Sequence, residues 1–288
     1  QPFEDEEGAI IFNGMIYNYS EIKKKLIKQN IKFRSKSDTE VLLKYLNYKG
    51  IENLDDLDGM WSFAYYSKIK KKLYLSRDRF GEKPLYFYID NSNLFFGSYY
   101  DYIINLYKNK KFKINFDRIE NFIKYNWKSF GDNLNYESIF ENIYSVKPGS
   151  YLEINEKSKL SEKFYWDPIS IKINNKLKYH NEKKVLRNKF KNIMNLRLKA
   201  DYPVACLLSG GIDSSSLVST AYSKLKKKLT CFSIDPQDKD YNEKNLINKT
   251  IKKYNLKHYY VTPKKNNKYN LKIVKNLIET TGNIIPTT

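Results

Sequence analysis

The sequence has few cysteines and no long hydrophobic run. Its two cysteines, Cys206 and Cys231, are far apart in the chain and lack the spacing of a metal site or a disulfide framework. No apolar stretch is long enough to cross a bilayer, and the acidic residues 1–7 are unlike a signal peptide. These absences argue against a disulfide-rich secreted protein and a helical membrane protein. We expect a soluble, cytoplasmic protein without a membrane partner.

Acidic residues are also scarce relative to basic ones. The chain has 52 lysines and arginines against 32 aspartates and glutamates, which gives a net charge of +20. Clustered basic residues can bind a polyanion by releasing its counterions. Here the lysines occur in every segment, without an arginine-rich stripe or an RNA-binding signature. We therefore expect solvated lysine-rich faces and no nucleic-acid partner, with a polyanion site as the alternative.

The first half of the chain alternates apolar segments with turn residues. Residues 8–13 predict a strand that ends in a turn at Asn13-Gly14, and residues 20–29 predict a helix. Residues 37–40 have the capping-box pattern, which places Asp38 in the first turn of a second helix. Gly50 is expected to end that helix, and residues 60–97 predict an antiparallel meander.

The second half has a different pattern. Residues 161–180 are rich in lysine, asparagine and serine and are interpreted as a linker between domains at 1–160 and 181–288. The apolar residues 203–208 predict a fully buried parallel strand. Helices and strands then alternate as in an open parallel α/β sheet.

Residues 209–215 read Ser-Gly-Gly-Ile-Asp-Ser-Ser and lie between the predicted buried strand and a helix. Such a position is where α/β sheets bind ligands. Adjacent glycines let N–H groups approach an anion, serine hydroxyls add donors, and the helix amino end contributes its dipole. Asp213 suits a Mg²⁺ ion that bridges phosphates. The alternative is a glycine turn with a helix cap, but the complete string favours a nucleotide site.

This loop resembles the PP-loop of ATP pyrophosphatases and lacks the lysine of a Walker A loop. Residues 197–204, 231–234 and 240–243 extend the resemblance to the synthetase domain of asparagine synthetases. The resemblance implies that residues 279–281 belong to the aspartate and adenylate site. It also implies an adenine pocket at Leu208 and Ile234, Mg²⁺ at Asp213, and ATP contacts from Leu208, Ser209, Gly210, Gly211, Asp213, Ser214, Ser215 and Ile234.

The amino-terminal half carries an independent resemblance. Residues 12–19, 37–40, 57–60 and 77–86 occur in the order found in the glutaminase domain of the same family. The implied fold class is α+β followed by α/β. An antiparallel sandwich similar to amino-terminal-nucleophile hydrolases precedes a parallel PP-loop domain, and both are expected to be incomplete, with the chain truncated at both ends.

The resemblance assigns roles in glutamine hydrolysis. The Asn13 side chain and the Gly14 backbone N–H form the oxyanion hole, and Asp38 binds the α-amino group of glutamine. The family's nucleophile is an amino-terminal cysteine, and neither cysteine of this chain stands there. Either the opening strands of the domain are missing, which we prefer and which would leave this fragment inactive alone, or the protein uses free ammonia.

Two further positions bear on this site. Met15 stands where the family usually has glutamate, and a thioether cannot replace a carboxylate near an ammonium group, so weaker glutamine binding is expected. The resemblance implies that residues 77–79 form a structural turn near the domain interface, outside the site.

The function implied is a ligase that uses glutamine, aspartate, ATP and Mg²⁺ to make asparagine through β-aspartyl-AMP; a homodimer is left open. One alternative is a related amidotransferase that acts on a sugar, peptide or β-amino acid. Two others are a basic PP-loop protein that modifies tRNA and an inactive binding module.

Overall fold

The computed structural model describes residues 1–90, 93–107, 111–125, 136, 138–156, 159–172, 179–235, 243–262 and 275. Apart from residue 275, these residues fall into two compact units, within Gln1–Ile171 and Lys172–Asn270. Residues 161–164 of the predicted linker lie in a strand of the first unit, while the proposed boundaries at 160 and 181 stay a prediction. Residues 240–242 and 279–281 lie outside the described residues. Within the described part, no helix is both long and apolar enough to span a bilayer.

The first unit contains two antiparallel sheets. One sheet has the strand order β1-β2-β3-β4-β8-β9, and the other has the order β6-β5-β7. The strands are β1 Phe3–Glu4, β2 Gly8–Ile16, β3 Gly59–Ser67, β4 Lys72–Arg77, β5 Tyr86–Asp90, β6 Asn93–Gly97, β7 Tyr144–Ser145, β8 Ser150–Ile154 and β9 Leu160–Phe164. The helices are α1 Tyr19–Ile27, α2 Asp38–Lys49, α3 Tyr100–Leu106 and α4 Phe116–Tyr125, and Ile51–Asp56 forms a 3-10 helix.

The layers of this unit are defined by three hydrophobic clusters. One cluster joins α1 and α2 to β2 and β3 and includes Leu42 of α2 and Trp61 of β3. A second cluster fills the space between the two sheets, with Leu75 from one sheet and Phe87 from the other. In the third, Ile103 of α3 packs on the outer face of the smaller sheet. The predicted antiparallel sandwich is confirmed, with helices outside both sheets.

Strand β2 differs from the prediction at its carboxyl end. It continues through Asn13 and Gly14 to Ile16 and pairs with β3 over its whole length, so the predicted turn is wrong. A Cβ on Gly14 would lie 2.2 Å from the Met60 carbonyl oxygen. The glycine therefore serves the close approach of two backbones instead of a reversal of the chain.

The predicted meander over residues 60–97 is also wrong. β3 pairs with β4 and β5 pairs with β6, but β4 and β5 belong to different sheets. The segment between them, residues 78–85, carries the chain from one layer of the sandwich to the other.

Helices α1 and α2 confirm the predicted helix over residues 20–29 and the predicted helix between Ser37 and Gly50. The Ser37 hydroxyl accepts the N–H of Thr39 at 3.1 Å at the start of α2, and Gly50, with φ of 88°, ends it. The capping box itself is wrong, since the Glu40 carboxylate does not complete it. It accepts instead the N–H groups of Arg34 at 2.9 Å and Ser35 at 2.6 Å.

Asp78 organises the connection between the sheets. Its carboxylate is 0% exposed and accepts the N–H groups of Trp61 at 3.2 Å, Phe80 at 3.0 Å, Glu82 at 3.0 Å and Lys83 at 2.9 Å. Four backbone donors are thereby satisfied by one side chain, which fixes the bend after β4 relative to β3.

Arg77 supports the same bend from the other side. Its guanidinium donates to the carbonyl oxygens of Lys83 at 2.8 Å, Gly81 at 2.8 Å and Val146 at 3.0 Å, and to the Ser145 hydroxyl at 2.9 Å. These contacts support the interpretation of residues 77–79 as a structural turn.

The second unit contains a parallel sheet in the order β10-β11-β12. The elements are α5 Tyr179–Arg197, β10 Ala205–Leu207, α6 Ile212–Ser223, β11 Thr230–Ile234, α7 Lys244–Tyr254 and β12 Lys257–Val261. The predicted alternation of strands and helices in a parallel α/β sheet is confirmed.

Burial of β10 differs from the prediction. Leu207 is 79% exposed, whereas Met194, Val218 and Ile247 from the three helices pack into one core on the opposite face. Right-handed connections between successive neighbouring strands place their helices on the same face of a sheet. Within the described residues, the other face of this sheet is therefore exposed, and the predicted full burial is wrong.

The two cysteines lie opposite each other on β10 and β11, and both are free thiols. Cys231 is 0% exposed, and burial raises its pKa to about 11. Burial also raises the pKa of the Cys206 thiol. A nucleophilic cysteine needs an accessible thiolate, so neither residue is suited to that role.

Substitution of Asp78 by asparagine is expected to destabilise the first unit by about 3 kcal/mol, because an amide cannot replace all the charge-assisted acceptor bonds of the buried carboxylate. Denaturant unfolding followed by tryptophan fluorescence measures this, since Trp61, Trp127 and Trp166 all belong to the sequence of this unit. Asp101→Asn on α3 is the control and should shift the transition little. An unchanged midpoint for Asp78→Asn would contradict the assigned role.

Native Cys231 is expected to resist alkylation by iodoacetamide at neutral pH, because its thiol is buried and almost fully protonated. Mass spectrometry of tryptic peptides measures the modified fraction, and the denatured protein, in which both cysteines should react, is the control. Rapid modification of Cys231 in the folded protein would refute this account of the pair.

Candidate functional site

The edge of β2 brings together the residues predicted for glutamine. The Gln1 side-chain oxygen accepts the Phe12 N–H at 2.6 Å, and the Asp38 carboxylate accepts the Ile16 N–H at 3.1 Å. Alternate residues of a strand direct their N–H groups to the same edge. The Gly14 N–H therefore faces this edge between two donors that other side chains already bind.

Asn13 lies next to Gly14 with an exposed side chain. Its Nδ2 donates to the Ser98 hydroxyl at 3.3 Å, across 85 residues of sequence. The amide nitrogen has a second hydrogen that can serve an oxyanion, and backbone and amide N–H groups are the usual donors of an oxyanion hole. Sequence reasoning missed Ser98, which directly follows β6, because nothing in its local pattern indicates a contact with β2.

Asp38 is a partly buried carboxylate in the first turn of α2, where the helix dipole favours negative charge. Its bond to Ile16 fixes it at the end of β2, close in sequence to Met15. Met15 pairs with Met60 on β3, so this pair of positions adds no charge beside the carboxylate. The arrangement leaves Asp38 as the candidate to bind an ammonium group.

Glu40 helps to hold the loop before α2. Although burial acts to raise the pKa of Glu40, the hydrogen bonds from the Arg34 and Ser35 N–H groups outweigh it and lower the pKa. The residue is buried and ionised, and its bonds stabilise the loop that leads to Ser37 and Asp38.

The glycine loop lies at the carboxyl end of β10. Helix α6 starts at Ile212 without a side-chain cap, and its first helical bond runs from the Ser215 N–H to the Gly211 carbonyl at 3.3 Å. The N–H groups of Ile212, Asp213 and Ser214 make no hydrogen bond within the described residues. Uncapped amides at a helix start are suited to bind phosphate oxygens.

The glycine N–H groups themselves have partners inside the protein. Gly210 donates to the Glu243 carboxylate at 2.8 Å, and Gly211 donates to the Ser209 hydroxyl at 3.3 Å. The Ser214 hydroxyl in turn accepts the Ser209 N–H at 3.0 Å. The donors available to a phosphate therefore lie at the start of α6, one step beyond the glycines that the sequence indicated.

The two predicted adenine contacts differ in accessibility. Ile234 is 67% exposed at the end of β11, whereas Leu208 is 2% exposed and belongs to the hydrophobic core. The Leu208 N–H donates to the Phe232 carbonyl at 2.8 Å. Only the backbone of Leu208 could reach a nucleotide, so the structure does not support a pocket lined by its side chain.

A buried hydrogen-bond network holds the Leu208 carbonyl. The Ser233 hydroxyl donates to this oxygen and lies 2.7 Å from Nε2 of His258. Because a hydroxyl has one hydrogen, His258 acts as the donor to Ser233. Burial lowers the pKa of His258, which favours the neutral ring. The sequence gives no local signal for this contact, because it joins two parallel strands.

Asp213 is exposed in the first turn of α6, beside the uncapped amides. Across the described residues, no group of three or more histidine, cysteine, aspartate or glutamate side chains could hold a metal ion. Mg²⁺ at nucleotide sites binds through one or two carboxylates and phosphate oxygens. Asp213 fits that ligand set only together with a bound polyphosphate.

Comparison with known families covers both units. The family model of the glutamine amidotransferase domain matches residues 1–166, and the model of asparagine synthase matches residues 185–284.

Three relatives illustrate the similarity. The chain is 33% identical over 256 residues to a Methanocaldococcus jannaschii protein provisionally named asparagine synthetase (glutamine-hydrolyzing) 2, covering 87% of this chain and 47% of the relative. It is 31% identical over 252 residues to asparagine synthetase (glutamine-hydrolyzing) 1 of Bacillus subtilis, covering 86% and 38%. It is 29% identical over 231 residues to amidase chry2 of Gibberella zeae, covering 79% and 33%.

The chain thus spans less than half the length of these relatives. The amidotransferase model alone matches more than half of this chain, and the asparagine synthase model follows it in the order of the two units. The chain belongs to the glutamine amidotransferase family, with an asparagine synthase domain after the amidotransferase domain.

Proposed function

We propose that the full-length protein is an ATP-dependent ligase that hydrolyses glutamine and makes asparagine from aspartate. One observation carries the proposal: a single chain joins the edge of β2, with Asn13, Gly14 and Asp38, to the uncapped start of α6. The first arrangement lies in residues matched by the glutamine amidotransferase model, and the second lies in residues matched by the asparagine synthase model. The domain boundaries proposed are 1–160 and 181–288, with a linker at 161–180.

In the first domain, a thiolate attacks the carboxamide carbon of glutamine, and negative charge develops on its oxygen. The Asn13 amide and the Gly14 N–H stabilise this oxyanion, while Asp38 binds the α-amino group. The carbon–nitrogen bond then breaks, ammonia leaves, and water releases glutamate from the thioester. Burial raises the pKa of the thiols of Cys206 and Cys231, so neither supplies the thiolate, and we place the nucleophile in a part of the protein beyond this sequence.

In the second domain, an oxygen of the aspartate side-chain carboxylate attacks the α-phosphorus of ATP. Pyrophosphate leaves, β-aspartyl-AMP forms, and ammonia displaces AMP to give asparagine. The N–H groups of Ile212, Asp213 and Ser214, with the Ser209 and Ser215 side chains near the loop, would bind the departing phosphates. Ile234 would contact the adenine. Asp213 would hold Mg²⁺, which neutralises phosphate charge.

A second candidate keeps this chemistry but changes the acceptor carboxylate. It is favoured by the similarity to a relative named amidase chry2, at 29% identity over 231 residues. A sugar, peptide or β-amino acid could then replace aspartate, since the described residues include no assigned acceptor contact.

We also propose a cytoplasmic location for the protein. Both cysteines are free although they lie on neighbouring strands, which supports a reducing, cytoplasmic compartment. A homodimer stays a prediction.

The full-length protein with ATP, Mg²⁺ and ammonium is expected to release pyrophosphate when aspartate is added. A panel of carboxylates in the same assay distinguishes the two candidates, with glutamate as the negative control. Stimulation by another acceptor alone would favour the second candidate, and absence of release with every acceptor would overturn the ligase proposal.

Asp38→Asn is expected to raise the KM for glutamine about tenfold to a hundredfold, because the substrate ammonium loses its charged partner. Ammonia-dependent synthesis by the same variant should stay unchanged, since it bypasses the first domain. Glu21→Gln, which removes a first-turn carboxylate from α1, is the matched control. Equal losses with glutamine and with ammonia would show that Asp38 does not act on glutamine.

A further inference from the structure

Glu243 makes a hydrogen bond that neither family membership nor the loop sequence assigns. Its Oε2 accepts the Gly210 N–H at 2.8 Å, 33 residues away in the chain. Gly210 belongs to the loop after β10, and Glu243 directly precedes α7, which follows β11. The bond therefore joins the starting regions of α6 and α7 at the carboxyl end of the sheet.

Packing supports this contact. A Cβ on Gly210 would lie 3.0 Å from Cβ of Glu243 and 3.1 Å from Cβ of Leu246. The loop and the start of α7 are thus already in contact through the glycine. A side chain at position 210 would push them apart, so the glycine permits both the approach and the hydrogen bond.

The main chain of Glu243 is itself fixed. Its carbonyl oxygen accepts the N–H groups of Leu246 and Ile247, each at 3.0 Å, and Ile247 is buried in the core of the unit. The next residue, Lys244, forms an ion pair of 2.7 Å with Asp235 at the end of β11. The carboxylate that reaches Gly210 therefore extends from an anchored turn, and its charge is favoured by the amino end of α7.

The bond occupies one amide of the loop and leaves others for a ligand. The Gly210 N–H is bound by Glu243, whereas α6 starts at Ile212 with its first three N–H groups uncapped. A carboxylate near a polyphosphate opposes binding by charge repulsion, so its useful contribution here is as a hydrogen-bond acceptor.

We propose that Glu243 is a positioning residue for the polyphosphate of ATP, which acts by holding Gly210 so that the first turn of α6 faces the phosphates. This inference rests on the proposed use of ATP by the second domain. It assigns Glu243 no contact with the nucleotide and no part in bond making or breaking.

The test compares Glu243→Ala and Glu243→Gln in the full-length protein, with ammonium as the nitrogen source. Glu243→Ala should raise the KM for ATP about tenfold, because the first turn of α6 is then no longer held toward the phosphates; tenfold corresponds to roughly 1.4 kcal/mol of binding free energy. The kcat and the thermal midpoint should change little. Glu243→Gln keeps an acceptor oxygen and should stay within about twofold of the unmodified protein.

Glu182→Ala, which removes an exposed carboxylate from α5, is the matched control and should leave the KM for ATP unchanged. An unchanged KM for Glu243→Ala would overturn the inference. So would a glutamine variant as impaired as the alanine variant, since charge and not acceptor geometry would then matter.

Titration calorimetry with Mg²⁺ and ATP separates this inference from the proposed function. If the unmodified protein binds ATP without releasing pyrophosphate, the ligase proposal fails while the affinities of the two variants still test Glu243. If the unmodified protein does not bind ATP, both proposals fail.

Discussion

Backbone N–H groups in folded segments require hydrogen-bond partners, and both candidate sites lie where the protein leaves such groups for a ligand. On the edge of β2, Gln1 binds the Phe12 N–H and Asp38 binds the Ile16 N–H, with Gly14 between them. At the start of α6, no side chain caps the first three N–H groups. Each site thus consists of fixed donors, whose orientation costs a ligand no reorganisation of the backbone.

The N–H donors on the edge of β2 can hold a fixed position because the neighbouring backbone is closely packed and hydrogen-bonded. At Gly14, the approach of β2 to β3 leaves no room for a side chain, so this pairing of the two strands requires glycine. Asp78 and Arg77 fix the connection between the two sheets through hydrogen bonds to main-chain groups. That connection sets the position of the second sheet, from whose end Ser98 reaches Asn13. Residues without a direct role in chemistry therefore determine where the candidate oxyanion donor lies.

Carboxylate side chains accept hydrogen bonds from several backbone N–H groups in these regions. Asp38, Glu40, Asp78 and Glu243 each accept at least one backbone donor, and for Glu40 the hydrogen bonds outweigh the effect of burial on its pKa. An ionised acceptor forms stronger bonds than a neutral one, so few side chains suffice to order these loops.

Local patterns determined much of this protein from the sequence alone. The helix that begins after Ser37 and ends at Gly50, the parallel α/β order around the glycine loop, and the placement of Asp38 in a first helical turn depend on residues close in sequence. Tertiary structure decided the rest, because the decisive partners are distant along the chain. Asn13 and Gly14 lie in a strand because β2 pairs with β3 there. The Glu40 carboxylate accepts N–H groups of the loop before α2 instead of completing a capping box, and the Gly210 N–H donates to Glu243. A sequence pattern shows which groups need hydrogen-bond partners, but only the folded chain brings those partners within reach.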